Sequence, residues 1–442
     1  MPSFGLGRGR LGRVPLGRGD ISPAGLISYP SNGIVRRLHI KRRNLSNGLF
    51  EADWQDMSEY VKRWGSIEST IDAVRLNEFQ NSGYNVVINN DSGRFQEETF
   101  YNSFWRNYMP RYKSLVRVQA GLLDSYNAEY PTDTTQGIFV LTDEIPVRSD
   151  SNDITLKCSS LRSIFDDVLA RDLTGITPTL TASQIWTAIR DHTDGSSNFI
   201  FREYITSTSW TIAATTQPYL LNTTTNLDGL STWDLMQKLA EAEGLVVLIN
   251  RTGGIEFAAR AARTTTSQFT LFGQNFPRPN IIKIQEYKED LNNYYNYFRL
   301  KYLEADTSTS FVTAGTTTAV TGSNTSWSYG QRIYEFENLF ITGTTTAQNL
   351  VNSLFSGVGA TLTSIGNFYT LFLPDRELLD RVDVNYHSYN LGDSTIWDVF
   401  DWDGANWSVE GENFDWDSKN FVIYGKKIDL DNMTSNLTLR EV

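Results

Sequence analysis

Apolar and polar residues alternate most clearly in the first third of the chain. In Leu115-Val-Arg-Val118 and Ile154-Thr-Leu-Lys157 the pattern follows the two-residue period of a strand with one buried face. Tyr84-Asn-Val-Val-Ile88 reads the same way and closes on Asn89-Asn90-Asp91-Ser92-Gly93, residue types that tolerate the left-handed conformations of tight turns. That strand and turn sit inside Lys62 to Phe95, bracketed by the large apolar side chains of Trp64 and Phe95. With IVRRLHIKRR and GIFVLTDEIPVR, and turn clusters such as Asn127 to Thr135 between them, the run from Gly33 to about Thr155 predicts short strands of a barrel or sandwich.

The period then changes. Leu161, Ile164, Phe165, Val168 and Leu169 share one helical face, which predicts a helix over Ser159–Asp172 with Ser159 or Ser160 as its N-cap. Thr181 and Gln184 form a capping-box pattern before IWTAIRDH. A third helix is predicted over Ser231–Glu243, burying Trp233, Met236, Leu239 and Ala240, with Gly244 just past its end. It runs into LVVLIN, the glycine turn Arg251-Thr-Gly-Gly254, and IEFAAR, so a helix on a hairpin is expected there.

From about Thr264 strands return in IIKIQEYKED, NNYYNYFRLKYLE and FENLFITG. The Thr/Ser/Gly-rich stretch from Asp306 to Tyr329 reads as a long hairpin or exposed loop. Thr345 and Gln348 open a further helix with Leu350, Val351, Leu354, Phe355 and Val358 on its apolar side. FYTLFLP, LLDRVDVNY, a Trp- and Asp-dense stretch from Trp397 to Trp416, and FVIYGKKIDLDNMTSNLTLREV complete the chain.

Composition agrees with a mainly β chain: 13% of its 442 residues are aromatic. That length provides for two to four domains. The single cysteine, Cys158, excludes an internal disulfide framework and any cysteine-based zinc site. No apolar run approaches the roughly 20 residues of a membrane helix, and no signal-peptide core is seen, so neither a membrane segment nor secretion by that route is expected. The net charge of −12 is uneven. Met1 to Arg43 holds nine Lys or Arg and one acidic residue, about +8, which leaves about −20 on the rest. Residues 1–32, rich in Gly and Arg, are expected to form an extended arm. An acidic body disfavours wrapping nucleic acid and suits a wall that DNA slides past.

Candidate chemistry is sparse. His39, His192 and His387 are far apart in sequence, and each is expected to be a lone packing or surface residue. GLGRGR lacks the strand and the Lys-Ser/Thr ending of a phosphate loop. The acidic cluster Asp398, Asp401, Asp403, Asp415 and Asp417 is weighed three ways: carboxylates and Trp residues that bind or cleave sugar, oxygen ligands for Ca²⁺, or turn caps and packing in a hairpin. Turn caps and packing are the expectation. No catalytic, cofactor-binding or metal residue is assigned, and no cofactor is expected.

Three stretches carry a family resemblance. Trp64 near Ser66-Ile67, the alternating strand and the turn Asn90-Asp-Ser-Gly-Arg-Phe95 resemble the first barrel of phage tail hub proteins, found in baseplates and tail tips. Thr232-Trp-Asp-Leu235, Leu239-Ala-Glu-Ala-Glu-Gly244 and Ile255-Glu-Phe-Ala-Ala-Arg260 resemble the unit that follows that barrel. Asp380-Arg-Val-Asp-Val384, Lys426-Lys-Ile-Asp429 and Leu437-Thr-Leu-Arg-Glu441 resemble the last barrel. The resemblance spans about Gly33 to Val442 and departs at the arm and at Asp306 to Tyr329.

It implies a mainly β (α+β) fold with two tail-tube-like β-barrels flanking a small α+β domain: an arm at 1–32, a first barrel at 33–158, a middle domain at 159–263, and a second barrel at 264–442. It further implies a non-enzymatic virion protein, made in the host cytoplasm and placed in the tail. As a homotrimer, six barrels would match a sixfold tube to a threefold tip around the DNA channel used in genome ejection. The implied partners are the tail tube or distal tail ring protein, the tape measure protein, and tail spike or fibre proteins; DNA passes without specific binding. Two other readings are a tail-associated protein that binds or hydrolyses glycans through residues 397–417, and a free-standing sugar-binding β-protein.

Overall fold

Tyr84, Val86 and Ile88 are buried while Asn85 is exposed, and Ile154, Leu156 and Cys158 are buried while Asp153, Thr155 and Lys157 face solvent. The two strands pair antiparallel with Cys158 opposite Tyr84 and Ile154 opposite Ile88, so their apolar sets meet on one side. The computed structural model describes residues 33–44, 49–72, 79–81, 83–90, 108–109, 113–123, 128–142, 153–177, 179–194, 198–221, 227–259, 262–273, 279–304, 308–315, 332–356, 363–387 and 415–442. The arm at 1–32, most of the Asp306–Tyr329 stretch and most of the Trp/Asp-dense stretch lie outside them.

The chain is mainly β, and among the described residues three α-helices fall between 162 and 242 and a fourth at Thr344–Leu354. A first, eight-stranded antiparallel sheet runs in the order Gln55–Asp56, Gly33–Lys41, Leu115–Leu123, Thr135–Leu141, Asp153–Ser160, Tyr84–Asn89 and Val61–Arg63, with Glu129–Tyr130 also on Leu115–Leu123. A second eight-stranded sheet runs Phe269–Phe272, Arg381–His387, Asp415–Asp429, Thr434–Glu441, Ser364–Leu371 and Ile281–Glu289. Its remaining two strands come from far earlier in the chain. Ser66–Ile71 pairs with the second half of Asp415–Asp429, Ser66 opposite Asp429, and Phe79–Asn81 pairs with Ser66–Ile71.

Three helices follow the sequence pattern. α2, Ala182–Arg190, starts on the expected capping box: Thr181 Oγ1 accepts from Gln184 N and Gln184 Oε1 accepts from Thr181 N. α3, Thr232–Ala242, begins where Ser231 Oγ accepts from Asp234 N and ends before Gly244 at φ +70°. It packs on the hairpin Leu245–Ile249 and Ile255–Ala259. Its burial exceeds one face, however. Leu235 and Glu241 are buried as well, because Ile333–Thr342 covers the other side, where Asn338 Nδ2 donates to Lys238 O and Glu241 Oε2. α4, Thr344–Leu354, buries Ala347, Leu350, Val351 and Leu354 and lies on a small sheet of Thr309–Gly315, Tyr297–Leu303 and Ile333–Thr342. No helix among the described residues is long and apolar enough to cross a membrane.

The predicted Ser159–Asp172 helix is broken. Ser159 and Ser160 belong to the preceding strand, opposite Val140 and Phe139; Leu161 takes the N-cap position, while Ser160 Oγ accepts from Arg162 N at 3.2 Å from one residue before it. The α-helix, α1, covers only Arg162–Asp166, and a separate 3₁₀ turn covers Ala170–Asp172. Between them the backbone becomes extended, as Thr232 N donates to Val168 O and Ala170 N to Leu230 O. Hydrogen bonds to the start of α3 thus outcompete helical continuation. The apolar pattern is still used, with Leu161, Ile164 and Phe165 buried.

The two sheets share one continuous length of chain. Val61–Arg63 belongs to the first and Ser66–Ile71 to the second, so the backbone changes sheets at Trp64-Gly65. Gly65 has φ +71°, and a Cβ there would lie 2.3 Å from Asn85 O. The Asp431 carboxylate accepts from Trp64 N at 2.8 Å and Gly65 N at 3.1 Å, and Leu430 N donates to Gly65 O. Arg36, from the first sheet, donates to Leu430 O at 2.8 Å with its guanidinium 5.5 Å from the Trp64 ring centroid. Gly65→Ala therefore meets both a left-handed backbone and a clash with a carbonyl. Urea unfolding should show a loss of at least about 2 kcal/mol, and an unchanged midpoint would mean the crossing relaxes freely.

Candidate functional site

A dense polar assembly lies where the first sheet, the α3 hairpin and the second sheet converge. Its centre is the loop Pro374-Asp375-Arg376-Glu377-Leu378-Leu379-Asp380, which leaves strand Ser364–Leu371. The loop is shaped locally: the Asp380 carboxylate accepts from Glu377 N at 2.8 Å, and Leu379 sits at φ +66°. From the first sheet, Tyr130 OH donates to Asp375 Oδ2 at 2.6 Å, and Gln136 Nε2 donates to Pro374 O at 2.9 Å. From the second sheet, Lys426 donates to Arg376 O.

The α3 hairpin brings two arginines. Its turn is held by Asn250 Oδ1, which accepts from Gly254 N, and Gly253 at φ +81° lets the backbone close on Ile138 of the first sheet. Arg251 can then bridge all three units: its Nη1 donates to Asp133 O and to Thr135 O, while Nε pairs with Glu377 at 3.2 Å. Arg263 pairs with Glu377 at 3.2 Å and with Glu256 at 2.9 Å. Arg376 and Asp375 pair through two hydrogen bonds.

Burial governs the protonation of this seam. It is the main influence on Lys426, whose ammonium falls to about 8 despite nearby Glu377 and Asp375. Burial likewise pushes the Asp380 and Glu256 carboxyls up, against the opposing charges of Arg376 and Arg263 on Asp380 and of Arg263 on Glu256. Burial also opposes ionisation of Asp375, but the hydrogen bonds and charge of Arg376 outweigh it and hold the carboxyl below the usual range. Arg251, Arg263, Arg376 and Lys426 face Glu256, Asp375, Glu377 and Asp380, so the charges balance internally. A small inner cavity of about 50 Å³ lies between Gln136, Arg251 and Lys426, and a wider polar cleft of about 570 Å³ opens beside it along Tyr130, Ser267 and Asp380. Such a seam holds parts together. It does not present a surplus of either sign to a charged ligand.

Of the residues weighed from the sequence, the described ones are not brought together here. His39 lies in the first sheet, half-buried and facing Arg117; burial, followed by Arg117, holds it below the ordinary imidazole value. His192 lies just past α2, where its Nδ1 accepts from Thr174 N at 3.1 Å. His387 ends strand Arg381–His387. Asp398, Asp401 and Asp403 lie outside the described residues, as does the side chain of Asp415; Asp417 is exposed. Trp416 is buried among Tyr287, Phe368, Tyr386 and Phe421, so its ring packs in the core and offers no sugar-stacking face. Among the described residues, no group of three or more His, Cys, Asp or Glu is placed to hold a metal ion. Sequence reasoning passed over the seam itself. Its one local signal is a charged run, Asp375-Arg-Glu377, set between the apolar FYTLFLP and Leu378-Leu379.

The chain matches no protein-family profile and no curated protein. Its fold is similar to that of the tail protein from Neisseria meningitidis, at 11% identity and a TM-score of 0.51, covering 92% of this chain and 96% of that one. The 43 kDa tail protein of prophage MuSo2 from Shewanella oneidensis aligns at 11% identity and TM-score 0.48 over 92% and 98% of the two chains. A prophage tail protein of Listeria monocytogenes aligns at 13% and 0.48 over 91% and 94%.

Two outcomes are expected of the seam. Asp375→Ala leaves the buried Arg376 guanidinium without its carboxylate and should cost about 3–5 kcal/mol in equilibrium unfolding, against about 1 kcal/mol for Tyr130→Phe. Equal small effects would show that the cleft hydrates Arg376 fully. The second concerns pH. Between pH 8 and 10.5 the unfolded chain keeps a proton on Lys426 that the folded chain has released, so stability rises with pH across that window. The gain is on the order of 3 kcal/mol relative to Lys426→Met, in which this contribution is missing. Parallel pH profiles for the two proteins would refute the assignment. Asp380 and Glu256 act in the opposite sense: their raised values make the folded state the better proton binder, so their contribution to stability grows as pH falls through the acid range.

Proposed function

We propose that this chain is a structural protein of a phage-type tail, the hub that joins the tail tube to the tip. The observation that carries the reading is the fold likeness to the Neisseria tail protein, which extends over 92% of the chain. The two eight-stranded sheets, one largely from 33–158 and one largely from 264–442, take the place of the two tube-like barrels, with 159–263 as the middle domain. Three copies would present six such sheets, so a threefold hub meets a sixfold tube without breaking symmetry. Charge supports the same arrangement. A net −12 on the chain, more negative still once the basic N-terminal stretch is set aside, suits a channel wall that DNA passes without adhering.

In this reading the chain has no catalytic duty. It is made in the host cytoplasm and incorporated into the virion tail, where it contacts the tail tube or distal tail ring protein, the tape measure protein, and spike or fibre proteins. The buried Trp416 removes one stacking face from the glycan alternative. Light scattering and negative-stain images of the purified protein test the proposal. A mass of three times 50.1 kDa, in rings with a central hole, is the expected result. A compact monomer that binds or hydrolyses glycans would overturn it.

A further inference from the structure

Strand Gly33–Lys41 has an open edge along its first half. One side pairs with Leu115–Leu123 throughout, Gly33 opposite Leu123 and Lys41 opposite Leu115, without a register shift. On the other side, Gln55–Asp56 reaches only His39 and Ile40. Leu38 is closed as well, since its N–H donates to Ser58 Oγ at 3.0 Å and its carbonyl accepts from Met57 N at 2.7 Å. Backbone groups alternate sides along a strand, so those of Ile34 and Arg36 point the same way as those of Leu38. Among the described residues no strand pairs with them on that side. The Ile34 side chain, 50% exposed, stands on this open half. Beyond Leu38 the edge carries Asp53, Asp56 and Glu59, all exposed and none in an ion pair among the described residues.

We propose that this edge takes the chain's own N-terminal arm as an added antiparallel strand, with Ile27 opposite Ile34 and Gly25 opposite Arg36. The sequence supplies the connection. Tyr29-Pro30-Ser31-Asn32 directly precedes Gly33, and a type I turn with Pro30 at its favoured second position closes a four-residue hairpin loop. From that loop Leu26 falls opposite Val35, and Pro23 opposite Leu38.

Arm and edge agree at each of these places. Ile27 and Ile34 share a face, so the exposed Ile34 gains an apolar neighbour. Ile27 and Gly25 supply N–H and C=O groups to Ile34 and Arg36. Pro23 has no N–H and arrives where Ser58 and Met57 already occupy the edge, so the added strand ends there. Arg18 lies five residues before Pro23, a span of up to about 17 Å, and the course leads toward Asp53, Asp56 and Glu59. Residues 1–32 hold four Arg and one Asp, so charge favours that course. A strand from a second copy would satisfy the same backbone groups, but the arm is tethered one short loop away and loses least freedom in closing. The arm then seals a sheet edge that would otherwise accept strands from other chains, whether or not the chain is a tail hub.

Hydrogen exchange of the full chain, read by mass spectrometry on peptides covering residues 24–37, tests the pairing. The amides of Ile34 and Arg36 should be protected. Ile27→Pro removes a pairing donor and should speed their exchange about tenfold or more, leaving peptides of Asp153–Ser160 unchanged. In Leu26→Cys with Val35→Cys, oxidation should close a disulfide within one chain, seen as a monomer on a denaturing non-reducing gel; the native Cys158 is buried. Free exchange at Ile34 and Arg36 in the native protein, protection that survives Ile27→Pro, or a disulfide that fails to form or joins two copies would each overturn the proposal.

Discussion

One stretch of backbone governs how the halves of this protein relate. At Trp64-Gly65 a strand leaves the first sheet and enters the second, and the Asp431 carboxylate collects both freed amide protons. Charge-assisted hydrogen bonds to backbone N–H groups are stronger than neutral ones, and here they act on a residue whose φ only glycine adopts easily. Ser66–Ile71 then pairs along Asp415–Asp429 in a five-residue register, so the second sheet contains chain from the first hundred residues. The second sheet cannot be completed without chain that lies between strands of the first. That long-range closure makes the sheets one mechanical body and makes the C-terminal strands depend on the N-terminal ones.

The rest of the junction is built differently. The crossing is a backbone tie, but the seam around Asp375–Asp380 is made of side-chain charges. Buried charges are costly to desolvate, and Lys426, Asp380 and Glu256 all titrate in the direction that shows this cost. Well-packed apolar residues in place of buried ion pairs are often as stabilising or more so. What charges add is geometric definition: Arg251 reaches two carbonyls of the first sheet and a carboxylate of the second only when the three units are in one arrangement. For a subunit proposed to sit between rings of different symmetry, a defined angle between its two sheets counts for more than the last increment of stability.

Helices show what was legible in the sequence. α2 and α3 follow from local signals: a Thr181–Gln184 box, a Ser231 cap, a Gly244 stop and apolar residues at helical spacing. Those signals act within a few residues, and in α2 and α3 cap and apolar pattern agree. The Ser159–Asp172 pattern was as regular, yet strand pairing at Ser159 and Ser160 and backbone hydrogen bonds from Thr232 and Ala170 cut the helix short. Site residues were less legible still. The aspartates that stood out in sequence are clustered there, whereas Tyr130 and Gln136, Arg251, Glu377 and Lys426 come from four separate stretches and carry no shared spacing.

Alternation, turn residues and caps by themselves determined that this chain is mainly β, that helices follow the first strands and return near Thr345, and that α3 leads into a hairpin. They did so because side-chain direction and capping are set by neighbours within one or two turns of chain. Which sheet a strand joins is a different kind of question. Ser66–Ile71 alternates equally well for either sheet, and its choice rests on the bend at Gly65 and on the free edge offered by Gly425–Asp429. The pairing of Arg251 with Glu377 and the depressed Lys426 likewise exist only once burial removes water from groups more than a hundred residues apart. Tertiary structure decided these because desolvation and long-range pairing depend on what surrounds a residue in space, and the linear order does not record that.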